Sequence, residues 1–317
     1  MKHYLGIDIG GTAVKLGIVD EAGRVLAKAE ESVSFDGYRT PILTTVLKAA
    51  QAFLAAQSVP AESLAGIGVS ATGQIDSRKG IVAGTCGSLP NYIGAPIKAE
   101  LEKTFGLPVT VANDANCMTL GEVWVGGAQG YTDVIGVTLG TGVGGGLIID
   151  GKLVRGRDCT AGEYSFMNTN ADAWSDPAKS VACQCSTSGL LSGYRARKGL
   201  PADAPMDGRI FFEAVHAGEA EANEALRSFC RAVAVQIYNL NVLLDLEKVA
   251  IGGGISKQPI LVETLNEVYE EYILRGHPFS EAQASCLPRP EIVPCRFLSE
   301  ANQIGAFASY QKAFLEK

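Results

Sequence analysis

A chain of 317 residues is long enough for two domains with separate cores, and 47% hydrophobic with 19% charged residues suits a soluble globular protein. A formal charge of −7, from 27 basic and 34 acidic residues, gives no electrostatic reason to expect nucleic acid or an anionic membrane as partner. No apolar run approaches the ~18 residues of a membrane span. Asp8 interrupts the apolar start MKHYLGIDIGG, which does not read as a signal peptide, and the eight cysteines are scattered, so reduced thiols and a cytoplasmic location are expected.

Strand-like and helix-like segments alternate, which predicts an α/β fold. YLGIDIG (4–10), KLGIVD (15–20) and RVLAKAE (24–30) read as strands, the last two parted by the turn Asp20–Gly23. Residues 40–57 carry Ile42, Leu43, Val46, Leu47, Ala50, Phe53 and Leu54 at helical spacing. LAGIGVSA (64–71) is a buried strand, 96–106 a helix stopped by Gly106, and PVTVAND a further strand. In the second half 133–139, 145–150 and 152–156 form a predicted strand meander. A helix over about 222–244 buries Leu226, Phe229, Val233, Ile237 and Leu240; KVAIGGG (248–254) is a strand, and a helix follows from about Pro259.

Gly11-Thr12 with Gly17 recurs as Gly140-Thr141 with Gly146, flanked each time by apolar strands and followed by a second turn. A duplicated α/β domain with a cleft between its halves explains the pattern; two unrelated glycine-rich hairpins are the plain alternative. Glycines in DIGGT (8–12) let N–H groups form an anion nest, Thr12 adds a hydroxyl, and Asp8 is placed to hold Mg²⁺ through water. A tight hairpin with a solvated Asp is the other reading. GTGVGGG matches G-x-G-x-x-G at Gly140, Gly142 and Gly145, but a strand follows it (LIIDGKLV) where a dinucleotide motif needs a helix. Phosphate binding by backbone amides is therefore kept and the dinucleotide fold rejected. Gly252, Gly253 and Gly254, between a strand and a helix, leave room for a base or ribose.

VANDANC (111–117) ends an apolar strand on Asp114 between Asn113 and Asn116, and a buried carboxylate is costly unless paired, hydrogen-bonded or used. DIGGT, AND (112–114), GTGVGGG, AGE (161–163) and IGGGI (251–255) stand in the order found in the ROK family of sugar kinases, and the chain resembles that family from residue 4 to about 308. The resemblance implies two related actin-like ATPase (ribonuclease H-like) domains: residues 1–113 with 300–317, and residues 114–299. It implies ATP with Mg²⁺, a sugar substrate, and Asp114 as general base, with helix capping as the alternative role for that residue. It places phosphates at Asp8, Gly10, Gly11, Thr12 and the 140–146 loop, including Gly140, Thr141, Gly142, Gly144 and Gly145, and adenosine at Gly252–Gly254. Sugar contacts fall on Ser70, Gly73, Asn91, Asn113, Asp114 and Glu163. Lys15 either offsets phosphate charge or faces solvent. A homodimer is one oligomeric state the family allows.

Many ROK proteins hold a structural zinc through a His after the Gly-Glu pair and a run of cysteines. Here the segment reads AGEYSFM, with Phe166 at the His position, and only Cys183 and Cys185 of the run are present, so no zinc is expected. An apolar ring at 166 suits a sugar whose anomeric oxygen is substituted, or it fills the space of the missing module. The surroundings, with YNLNVLLD (238–245), are similar to the β-glucoside kinase branch. The expected activity is therefore phosphorylation of the 6-hydroxyl of a β-glucoside or hexose, with N-acetylmannosamine kinase or glucokinase as alternatives. A sugar-responsive regulator is the alternative of another class, disfavoured because the phosphate motif already begins at Asp8 and leaves no room for a DNA-binding domain before it.

Overall fold

The computed structural model describes residues 2–57, 63–85, 87, 89–168, 170–287, 289–297 and 300–315; Cys86 lies outside them. The chain divides into two compact units, Met1–Gln129 with Leu153–Ala161 and Ser299–Lys317, and Gly130–Lys152 with Gly162–Leu298.

In the first unit β1 (His3–Ile9), β2 (Ala13–Asp20) and β3 (Val25–Ser32) form an antiparallel meander, followed by α1 (Ile42–Ala55), β4 (Leu64–Ala71) and a small hairpin of β5 (Gln74–Asp76) and β6 (Ile81–Gly84). Then come α2 (Ile97–Phe105), β7 (Val109–Asn113) and α3 (Asp114–Val125). The sheet order is β3-β2-β1-β4-β7, with β1, β4 and β7 parallel. Because β1 and β4 are covered on both faces, their inner residues are apolar without alternation. Ile42, Val46 and Phe53 of α1, with Ile97 and Leu101 of α2, close the core over Leu5, Ile7, Ile9, Ile67 and Val69.

The second unit repeats this plan. β8 (Val134–Leu139), β9 (Val143–Ile149) and β10 (Lys152–Leu153) precede α4 (Val181–Gln184), α5 (Thr187–Lys198), α6 (Gly208–His216) and α7 (Ala220–Leu244). β11 (Lys248–Gly252), α8 (Pro259–Val268), one π-helical stretch (Tyr269–Leu274), α9 (Ser280–Cys286) and β12 (Glu291–Pro294) complete it. The order β10-β9-β8-β11-β12 matches the first sheet strand for strand. Gly6 faces Gly17 across the first hairpin and Gly136 faces Gly146 across the second, so the repeat legible in the sequence is a repeat of register. Phe229, Val233 and Ile237 of α7 pack with Val137, Val249 and Leu265 in this unit's core.

Two boundaries differ from those expected. Helix α3 stays with the first unit instead of opening the second, because it packs on α10 (Ala301–Phe314). A Cβ on Gly305 of α10 would overlap the carbonyl of Cys117, and one on Gly121 would lie 3.0 Å from the Ala301 oxygen. Residues 152–156, expected as a strand, are one only over Lys152–Leu153. The segment then returns to the first unit, where Arg78 donates to the carbonyls of Gly156 and Arg157.

Gly305→Ala sets helix propensity against overlap. Ala is favoured by about 1 kcal/mol in a helix interior, whereas a methyl forced into packed backbone costs about 1–3 kcal/mol or more. A net loss of about 2 kcal/mol is expected in urea unfolding followed by Trp124 fluorescence in a Trp174→Phe background. A neutral or stabilised variant would disprove the close α3–α10 approach.

Candidate active site

Three parallel strands of the first unit end side by side, the location where open α/β sheets present ligand-binding groups. The register sets Asp8 of β1 beside Ser70 of β4, Ser70 beside Ala112 of β7, and Ala71 beside Asn113. Asp8 is 8% exposed, and its Oδ1 accepts from Ser70 Oγ at 2.9 Å and from Asn302 Nδ2 of α10 at 3.0 Å. Burial pushes this carboxyl above its ordinary range; the two donors and the charge of Lys15, opposite it on β2, pull it back, and Glu30 adds to the rise. Ser70, expected at the sugar, is fully buried and directs its hydroxyl to Asp8.

Asn113 and Asp114 mark the join of β7 and α3. Asn113 is the N-cap: Oδ1 accepts from the amides of Ala115 (2.9 Å) and Asn116 (3.2 Å), and Nδ2 donates to the Gly73 carbonyl (2.9 Å). The capping role expected as an alternative for Asp114 thus falls to its neighbour. One hydrogen of the Asn113 amide is left for a further acceptor. Asp114 follows at the first helical position, half-buried, its Oδ1 2.8 Å from the Ala115 amide and at the positive end of the α3 dipole. Gly73 has φ 93°, and a Cβ there would stand 2.6 Å from the Gly84 carbonyl, so glycine is required where the loop meets β6. Asn91 is exposed, also in the left-handed region (φ 58°).

Two groups beneath this cluster escaped sequence reasoning. The Tyr92 hydroxyl is buried without a hydrogen-bond partner among the described residues, and the Cys117 thiol is fully buried. Burial, then the nearby charges of Asp8 and Asp114, push both upward and hold them neutral. Asn302 was missed too; its one signal is a carboxamide opening a helix of small and apolar residues.

The β1–β2 turn closes through the Gly10 amide to the Ala13 carbonyl (2.9 Å), while Tyr38 Oη and the Val33 amide take the carbonyls of Gly11 and Thr12. The amides of Gly11 and Thr12 make no hydrogen bond among the described residues, leaving donors for an anion. Neither Gly10 nor Gly11 has positive φ.

In the second unit Gly140–Gly142 form the matching turn, with the Gly140 amide on the Gly142 carbonyl (3.0 Å) and the Thr187 amide on the Gly140 carbonyl (2.8 Å). Thr141 and Gly142 are exposed. Gly144 and Gly145 lie inside β9, where a Cβ at 145 would overlap the Tyr164 ring; glycine at 145 makes room for packing. Gly252 ends β11 beside Thr138, Gly253 at φ 97° passes against the Leu139 carbonyl, and a Cβ on Gly254 would meet nothing within 4 Å. The two glycine turns are thus adjacent, with open space at Gly254. Ser165 Oγ bonds the amide (3.0 Å) and carbonyl (2.7 Å) of Val143, anchoring the segment that carries Glu163 and Phe166. Glu163 is half-buried, and burial raises its carboxyl. Phe166 is 73% exposed.

Residues 4–313 match the ROK family. The chain belongs to the ROK family. It is 33% identical over 262 residues to a β-glucoside kinase of Klebsiella pneumoniae, covering 82% of this chain and 84% of that one. It is 32% identical over 280 residues to an N-acetyl-D-glucosamine kinase of Photobacterium profundum, covering 86% and 90%. Among solved structures it is similar to a ROK glucokinase of Streptomyces griseus in complex with glucose and AMPPNP (TM-score 0.76, 26% identity, 96% and 97% covered). A ROK sugar kinase with the actin-like ATPase fold, expected from the motifs, is borne out. Among the described residues no helix is long and apolar enough to cross a membrane.

The raised carboxyl of Asp8 generates a pH prediction. Relative to the unfolded chain, a raised acid contributes stability fully below pH about 4 and loses it as pH climbs through the folded value. Asp8→Asn keeps the acceptor oxygen and never ionises. Its Tm is expected to exceed wild type at pH 7.5, with the gain vanishing toward pH 4. A gain that grows as pH falls would refute it.

Proposed function

We propose that this chain transfers the γ-phosphoryl group of ATP to the 6-hydroxyl of a sugar, with a β-glucoside as the preferred class. The observation that carries the reading is the convergence of Asp8, Ser70, Asn113 and Asp114 at the ends of β1, β4 and β7. Phosphoryl transfer requires positioning, charge stabilisation and a carboxylate to accept the attacking hydroxyl's proton. Asp114 takes that proton as the sugar oxygen bonds to the γ-phosphorus; the bond from phosphorus to the β–γ bridging oxygen breaks, and ADP leaves. Asn113 locks the base by capping its helix and holding the Gly73 loop, and its remaining N–H is available to a sugar hydroxyl. Asn91 and Glu163 supply further polar contacts to the sugar.

The free amides of Gly11 and Thr12 and the turn at Gly140–Gly142 suit phosphate oxygens, and the space at Gly254 suits adenosine. Mg²⁺ fits Asp8 through water: both donors go to Oδ1, Oδ2 takes none among the described residues, and a single carboxylate is enough for an ion that keeps its hydration shell. When bound, the ion neutralises phosphate charge.

The substrate class rests on Phe166. A side chain that merely filled the place of a missing module would be buried, and this one is not. An exposed ring on an anchored segment suits the apolar face of an aglycone or second sugar.

Asp114→Asn is expected to lower kcat by about 10³-fold while leaving the Kd values for sugar and ATP within about twofold, as for loss of a base. Parallel loss of binding and turnover in calorimetry and single-turnover assays would make the residue structural. In a panel of glucose, N-acetylglucosamine, N-acetylmannosamine, cellobiose and salicin, the last two are expected to give the highest kcat/KM. Phe166→Ala should raise KM for those two about tenfold and leave that for glucose unchanged. Preference for an N-acetylated sugar would overturn the assignment.

A further inference from the structure

On the first unit, the turn between β5 and β6 and the returning segment 153–156 border an open surface hollow of about 420 Å³ lined by Ser77, Arg78, Leu153, Arg155 and Gly156. Its size falls in the range of small-molecule sites, roughly 300–1,000 Å³. Its charge is unusual for so acidic a chain. Arg78 is fixed in place, with Nη2 3.0 Å from the Gly156 carbonyl and Nη1 on the Arg157 carbonyl, so its guanidinium is oriented without being neutralised. Arg155 is exposed and has no ion pair among the described residues. The nearby acids are engaged elsewhere: Asp76 accepts from the amides of Arg78 and Lys79 and pairs with Lys79 at 3.3 Å, and Asp158 pairs with Arg157 at 2.9 Å. Two arginines therefore line one hollow, and no acidic residue is among its lining residues. Ser77 Oγ adds a hydroxyl, 3.6 Å from the buried Cys159 sulfur.

We propose that this hollow is an anion site for a phosphate group, carried by a phosphate monoester or free as inorganic phosphate. Two planar forks and a hydroxyl distribute donors over three oxygens, which a phosphate has and a carboxylate lacks. One wall leads toward residues of the candidate active site. β5 begins directly after Gly73, whose carbonyl accepts from Asn113. Occupancy is thus placed to alter sugar affinity, a consequence that rests on the kinase reading; the binding itself does not.

Isothermal titration of the full chain with inorganic phosphate and with glucose 6-phosphate, against glucose and sodium chloride at matched ionic strength, tests the proposal. Both phosphates are expected to bind and sodium chloride to give no saturable heat, while any heat from glucose, which belongs to the candidate active site, is expected to be the same in wild type and Arg155→Gln. Arg155→Gln, at an exposed position, is expected to weaken phosphate binding at least tenfold with Tm and activity in phosphate-free buffer unchanged, and Arg155→Lys to give an intermediate loss. In the binding that Arg155→Gln removes, tighter binding of glucose 6-phosphate than of phosphate identifies a monoester as the ligand; equal affinity identifies the phosphate group alone. Phosphate binding that Arg155→Gln leaves intact belongs to the glycine turns and overturns the proposal, as does heat reproduced by chloride.

Discussion

The first unit is organised around the burial of one carboxylate. Asp8 sits at the end of a strand whose other inner residues are apolar, and among the described residues its Oδ1 is held by two neutral donors instead of a cation in contact. Leaving such a group without hydrogen bonds would cost several kcal/mol, more than burial of a neighbouring Ile or Leu contributes at about 1.5–3 kcal/mol. The fold therefore has to deliver Ser70 from an adjacent strand and Asn302 from nearly the other end of the chain. Glycines make the second delivery feasible. Gly66 and Gly68 of β4 lie flat beneath Tyr310 and Ala306, and Gly305 admits α3, so that α10 settles onto the sheet with its first turn over Asp8. Two neutral donors steady the carboxylate without cancelling its charge, which leaves that charge available to a cation arriving with a ligand.

Most of the sheet architecture was legible because it is local. Apolar runs bounded by Gly and Asp marked β1, β2, β4, β7, β8 and β11, and the recurrence of Gly-Thr turns marked the duplication later seen in the strand order. The contributions that were not legible depend on partners distant in sequence. Nothing near Asn302 signals a carboxylate on β1, and nothing around Asp114 shows that α3 belongs with α10. Residue type also failed to separate neighbours with different tasks. Asn113 and Ser70 carry the hydroxyl and amide groups a sugar needs, yet both are committed first to shaping the strand ends. Gly145 carries the spacing of a phosphate loop, yet its missing side chain is occupied by Tyr164.

The segment after Glu163 is ordered by packing and hydrogen bonds within the second unit. Cys185 is buried in the core of the second unit while Cys183 is exposed, so the two thiols serve different surroundings. Order is supplied by other means. Tyr164 is buried beneath β9, the Val181 amide donates to the Met167 carbonyl at 3.1 Å, and Asn168 bridges Ser180. Anchored on both sides of residue 166, the chain has no packing reason to hold a phenyl ring in solvent. Exposing a Phe forfeits roughly 2 kcal/mol of burial, a cost that fits a surface used for binding better than one used for folding. The same anchoring keeps Glu163 half-buried beside it, and its raised carboxyl is then a property of the scaffold before any sugar arrives. A segment anchored in this way loses less ordering entropy on binding than a flexible loop would, which is the physical advantage of the sugar contacts proposed for it.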